Sequence, residues 1–134
     1  ADKKELLIKN LKFLLPIFFI SGLFVQLIIY LFSDFLINLL FNENYYGAIF
    51  LLKVLSFAIP LRFLISILGS FLEINDLINN KVKYMFCAAS INIVLNLILI
   101  PSYDIIGAAI STIITEIILL AMYFYLIKKE LIDK

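Results

Sequence analysis

Four long apolar runs, separated by connections that carry lysines at every second break, constrain this chain more than any other feature. The runs are Phe13 to Phe32 with an apolar extension to Phe41, Ala48 to Leu72, Tyr84 to Ile100, and Ile105 to Ile127. Each reaches the roughly 17 to 25 residues that a helix needs to cross about 30 Å of hydrocarbon. The spacing predicts an all-α membrane protein with four transmembrane helices, over about 13–41, 48–74, 83–100 and 105–128, forming one unit over residues 1–134.

Lys3, Lys4, Lys9 and Lys12 precede the first run, Lys81 and Lys83 lie between the second and third, and Lys128, Lys129 and Lys134 follow the fourth. The other two connections hold neither Lys nor Arg. Short loops rich in Lys and Arg stay in the cytoplasm, so both termini and the middle loop are expected on the cytoplasmic side of the cell membrane.

Composition supports the same class. Hydrophobic residues make up 64% of the 134 residues, against about 45 to 50% in a soluble domain. The basic residues are where membrane topology puts them, so no nucleic-acid partner is implied. With no His and a lone Cys87, neither a metal site nor an internal disulfide is expected. The basic start before the first run resembles a signal peptide, but that run is too long and no small-x-small cleavage site follows. We therefore expect a retained helix. The opening Ala1 in a charged segment suggests a piece of a longer protein.

Local signals refine the four helices. Pro16 and Ser33-Asp34 predict a long, tilted or bent first helix. Asn42 marks its stop, and the outer turn to Gly47 places Tyr45 and Tyr46 at the interface. Pro60 crowds the Ser56 carbonyl and predicts a kink in the second helix. The stretch Asn75 to Asn80 is expected to form the cytoplasmic turn. Pro101 should close the third helix. Lys53 is expected to snorkel to the outer boundary, where Asp34 and Glu43 are expected to be hydrated.

Two charges fall inside the membrane, Arg62 near the centre of the second run and Glu116 near the centre of the fourth. A charge there costs about 2.5 to 3.5 kcal/mol on insertion scales, which the surrounding apolar residues offset. Arg62 lies about 21 Å and Glu116 about 16 Å from the outer starts of their helices, near enough to pair. A static ion pair, partners on helices outside this chain, and a polar lining for a charged substrate all remain open.

Residues three or four apart share one side of a helix. On the second helix Ala58, Arg62, Ser66, Gly69 and Glu73 recur at that spacing, and on the third Ala89, Asn92 and Asn96. The fourth helix repeats it with Gly107, Ser111 and Thr115, beside Thr112 and Glu116, and the first with Gly22, Gln26, Tyr30 and Ser33. Close helix packing explains the small residues, Gly22, Gly69, Gly107 and Ala108. The candidates for lining a substrate path are Arg62, Glu116, Ser66, Asn92, Asn96, Thr112, Thr115 and Gln26. No nucleophile–base pair, carboxylate pair or metal cluster stands out, so neither an enzyme nor a bound cofactor is expected.

The stretches Leu40-Phe41-Asn42-Glu43-Asn44-Tyr45-Tyr46-Gly47-Ala48 and Leu52-Lys53-Val54-Leu55, then Asn92 to Pro101 and Gly107 to Thr112 before Glu116 and the basic end, resemble the C-terminal portion of polysaccharide biosynthesis flippases. These belong to the multidrug, oligosaccharidyl-lipid and polysaccharide exporter superfamily. The chain departs from the family pattern at Asn42 and Asp104, where glycine is usual. Asn42 can supply the same left-handed turn, and Asp104 can cap the fourth helix.

The resemblance implies a larger helical-bundle transporter of a dozen or more helices in two bundles, moving lipid-linked glycans across the cytoplasmic membrane by alternating access. This chain would form its last third or so, beside the remaining helices and the lipid bilayer. The resemblance assigns no ligand residue. Two other readings stand beside it: a stand-alone four-helix transporter with Glu116 as a proton-coupled carboxylate, and a non-transporting membrane subunit.

Overall fold

A computed structural model describes residues 3–41 and 46–132. Four α-helices follow one another: α1 (Lys3–Leu40), α2 (Tyr46–Ser56), α3 (Ala58–Ile74) and α4 (Ile78–Ile127), the last running into a π-helical turn, Lys128–Ile132. Among the described residues, three stretches are long and apolar enough to cross a membrane, Glu5–Leu40, Gly47–Ile74 and Ile78–Glu130. The protein is an all-helical membrane protein.

α1 starts ten residues earlier than the apolar run, because Lys and Glu are good helix formers and Leu11 is already buried. It continues through Pro16 and through Ser33, whose buried hydroxyl donates to the Tyr30 carbonyl at 2.9 Å. The expected stop at Asn42 and the outer turn through Tyr45 lie outside the described residues, as does the Tyr46 side chain.

The kink expected from Pro60 is present as a break at Phe57 between α2 and α3. Proline has no N–H for the Ser56 carbonyl and its ring crowds that group. The chain tightens ahead of it: Phe57 N–H donates to Val54 O at 3.2 Å, and the Ser56 hydroxyl donates to Lys53 O at 2.7 Å.

α3 ends in a Schellman turn within the predicted Asn75 to Asn80 connection. Leu77 N–H donates to Leu72 O at 2.9 Å and Asp76 N–H to Glu73 O at 3.1 Å. This bond pattern requires a left-handed residue between them, and Asp76 supplies it at φ 59°. Leu77 then packs on the buried cluster that contains Leu72.

α4 consists of two helical arms joined at a sharp kink, and it doubles back. Asn92 donates to Thr115 Oγ1 at 3.1 Å; in a straight helix those residues would lie about 34 Å apart. The reversal is at Asp104, with φ 50° and ψ −137°. Two antiparallel arms result, residues 78–103 and 105–127. Pro101 does not end the first arm as expected, since helical bonding persists past it. Asp104 is the pivot rather than a cap, at a position where the resembling family usually has glycine.

α1 packs on α2 and α3, and these pack on α4. At one end, Leu11 of α1, Leu68, Phe71 and Leu72 of α3, and Tyr123, Leu126 and Ile127 of the second arm form the buried apolar cluster. Lys9, Lys12, Lys81, Lys83, Lys128 and Lys129 therefore converge on that end. At the opposite end Lys53 pairs with Asp34 at 3.0 Å and lies 5.7 Å from the centre of the Tyr30 ring. The two charges meet each other there while both stay partly exposed.

Candidate functional site

The polar residues of the separate helices meet in a groove of about 660 Å³ between α3 and the two arms of α4. α3 contributes Arg62, Ser66, Gly69 and Ser70; the first arm contributes Lys81, Ala88, Ala89 and Asn92; the second contributes Thr112, Thr115, Glu116 and Tyr123. Helical spacing explains the convergence, because each set repeats at three or four residues along one face.

Arg62 and Glu116 form the expected pair, Nη2 to Oε1 at 2.7 Å. They differ in surroundings. The Glu116 side chain is 11% exposed, whereas that of Arg62 is 68% exposed, so the carboxylate is fixed inside the groove and the guanidinium stands at its rim. Of the two groups, only the acid is enclosed by the helices of this chain. A guanidinium carries five donors in a rigid fork, and the single contact to Glu116 leaves most of them directed outward.

A short polar ladder ties the two arms together beside the pair. Asn92 donates to Thr115, Asn96 donates to Asn92 Oδ1 at 3.0 Å, and the Ser111 hydroxyl donates to Asn96 Oδ1. Asn92 lines the groove, while Asn96 lies beyond it, on the hairpin side facing Ile93, Leu97 and Pro101. Thr112 and Thr115 return their hydroxyl protons to the Ala108 and Ser111 carbonyls, at 2.9 and 2.7 Å. Apolar surroundings favour such self-satisfied hydroxyls. Ser66 has no hydrogen-bond partner among the described residues and faces the groove beside Arg62.

Gln26 is not brought to the groove. It lies in an apolar notch on α1 and the α2–α3 break, among Leu23, Leu27, Tyr30 and Phe57. Its stripe on α1 serves packing instead: a Cβ on Gly22 would sit 2.7 Å from Pro60 Cα, so glycine there lets α1 approach α3 at the proline.

Lys81, Ser70 and Tyr123 belong to the groove without having been among the lining candidates, Lys81 having been read for topology alone. Lys81 pairs with Glu73 across the Schellman turn, and its stem passes within 3.2 Å of a Cβ built on Gly69. The signal was there in the turn, which places residues eight apart on facing helices. Tyr123, almost fully buried at the end of the groove, carries no comparable signal among so many aromatic residues.

Long apolar helices gathered around a polar groove define the class that the fold and site support: a helical integral membrane protein. No family model matches the chain, and no solved structure matches it. Over 100 residues it is 33% identical to an uncharacterized membrane protein of the archaeon Methanocaldococcus jannaschii, a match covering 75% of this chain and 20% of that protein. The chain thus spans about a fifth of the length of that curated relative.

Proposed function

We propose that the chain is part of a transporter that flips lipid-linked oligosaccharide or polysaccharide precursors across the cytoplasmic membrane by alternating access. The observation that carries this reading is the Arg62–Glu116 pair, its carboxylate inside and its guanidinium at the rim of a groove lined with hydroxyls and amides, within helices that otherwise present apolar surface. Ionisable residues inside membrane segments face the bundle interior or a water-filled cavity, pair with one another, and mark substrate or ion paths. Arg62 has donors to spare for an anionic diphosphate or a sugar hydroxyl, and Ser66, Thr112 and Asn92 flank it. The likeness of the loop segments to polysaccharide flippases supports the substrate class.

On this reading the hairpin of α4 crosses the membrane twice, giving four crossings, and the lysine-rich end is cytoplasmic. The stand-alone proton-coupled alternative requires Glu116 to bind and release a proton freely, and its 2.7 Å contact to Arg62 weighs against that.

The test is glycan export by the intact transporter with Arg62→Ala and Arg62→Lys. Export should fall strongly with Ala and partly recover with Lys; unchanged export with Ala removes Arg62 from the mechanism. Cysteine labelling at Ser102 and at Lys83, in a Cys87→Ser background, should mark opposite faces of the membrane. Labelling of both from one face overturns the four-crossing topology.

A further inference from the structure

We infer that the lysine-rich start of α1 is a binding site for an anionic phospholipid, with the headgroup phosphate held between Lys9 and Lys12 and one acyl chain lying along α1. Lys9 and Lys12 are three residues apart and so neighbours on the helix surface. With Glu5 and Ile8 they line a notch of about 280 Å³. Neither lysine has an ion-pair partner among the described residues, whereas Lys53 at the opposite end is paired with Asp34. Glu5 leaves the notch with a net positive charge of one, which favours a phosphate whose headgroup brings no ammonium of its own.

Below the notch the surface changes to fit a hydrocarbon chain. Phe13, Ile17, Ile20 and Phe24 are all exposed, and steps of four, three and four place them on one face beneath Lys9. From Phe13 to Phe24 this track is about 16 Å long, close to the roughly 15 Å of one hydrocarbon leaflet. A cation pair above an apolar track of one leaflet's length matches a phospholipid in both parts. Lysines beside an anionic surface strengthen its binding by about fivefold each. The site is separate from the groove and stands on membrane insertion alone.

The full chain, placed in nanodiscs of equal phosphatidylglycerol and phosphatidylcholine, is released in native mass spectrometry and its retained lipids are counted. Phosphatidylglycerol should be retained in preference. Lys9→Gln with Lys12→Gln, which keeps helix propensity, should lower the preference by about fivefold per lysine. Lys53→Gln should leave it unchanged. Equal retention of both lipids by the native chain, or an unaltered preference in the double variant, overturns the site. So does an equal loss on exchanging Lys128 and Lys129 instead, which would indicate a diffuse field at this end. Circular dichroism of the double variant should show the native helix content; if it does not, Lys9→Arg with Lys12→Arg must retain the preference, and its loss there overturns the site.

Discussion

Gly107 lies so close to the backbone of Leu99 that a Cβ at this position would sit 2.3 Å from the Leu99 carbonyl oxygen. The contact lies just inside the Asp104 reversal and sets how tightly the two arms of α4 close. Since the neighbour is backbone, it has little freedom to move aside. Gly107→Ala should destabilise the fold by about 1 to 3 kcal/mol, as overpacking does elsewhere, and Gly107→Leu by more. Thermal unfolding in detergent measures this; an unchanged midpoint for Gly107→Leu would show that the arms are not in contact.

Asp104 and Asp76 both adopt positive φ, at 50° and 59°. A non-glycine residue held in such a region costs on the order of 1 kcal/mol. Asp104→Gly and Asp76→Gly should each stabilise the fold by up to about 0.5 kcal/mol after the added freedom of the unfolded chain is counted, and so raise the unfolding midpoint slightly. Ala at either site should lower it.

The two partners of the Arg62–Glu116 pair should respond unequally to removal. Arg62→Ala leaves a carboxylate that is 11% exposed without its cation, whereas Glu116→Gln leaves a guanidinium that is already 68% exposed. Breaking a buried pair from one side costs about 3 to 5 kcal/mol, and the exposure of Arg62 moves the expected value toward or below the lower end. Arg62→Ala should therefore destabilise more than Glu116→Gln in the same melting assay. The reverse order would mean that Glu116 reaches water or a headgroup when Arg62 is gone.

Lys53 and Asp34 join α2 to α1 where both are partly exposed, so their attraction is worth at most about 1 kcal/mol and should fade in high salt. Exchanging the two charges, Asp34→Lys with Lys53→Asp, should restore most of what either single change loses. A double variant no better than the singles would show that the lysine acts through the Tyr30 ring instead.

The membrane class, the helix boundaries near Ile74 and Ile127, and the break ahead of Pro60 were legible in the sequence, because hydropathy, turn chemistry and proline sterics act locally. So was the meeting of Arg62 with Glu116, since two charges at similar depth have few alternatives in hydrocarbon. The arrangement of faces was less legible. Gln26 shares the small-and-polar spacing of the groove residues, yet α1 turns that stripe toward Pro60 and Phe57, and nothing in its own spacing says which neighbour it meets. Lys81 looked like a topological signal alone because its partner, Glu73, comes from across a turn whose geometry depends on Asp76 adopting a left-handed conformation. The outward lean of Arg62 follows from the width of the groove, which depends on where the second arm of α4 returns.

Among the described residues, the opposite-charge contacts Asp34–Lys53, Arg62–Glu116 and Glu73–Lys81 occur at successive heights along the α2–α3 rod. In lipid, greasy surfaces slide past each other with little preference, because acyl tails solvate them as well as a neighbouring helix does. Point charges do not slide: a vertical slip of one helical turn, about 5.4 Å, would part all of these couples together. The rod is thus indexed against α1 at its Lys53 end and against both arms of α4 further along, and any rearrangement of this protein must pivot about those heights or uncouple them one at a time.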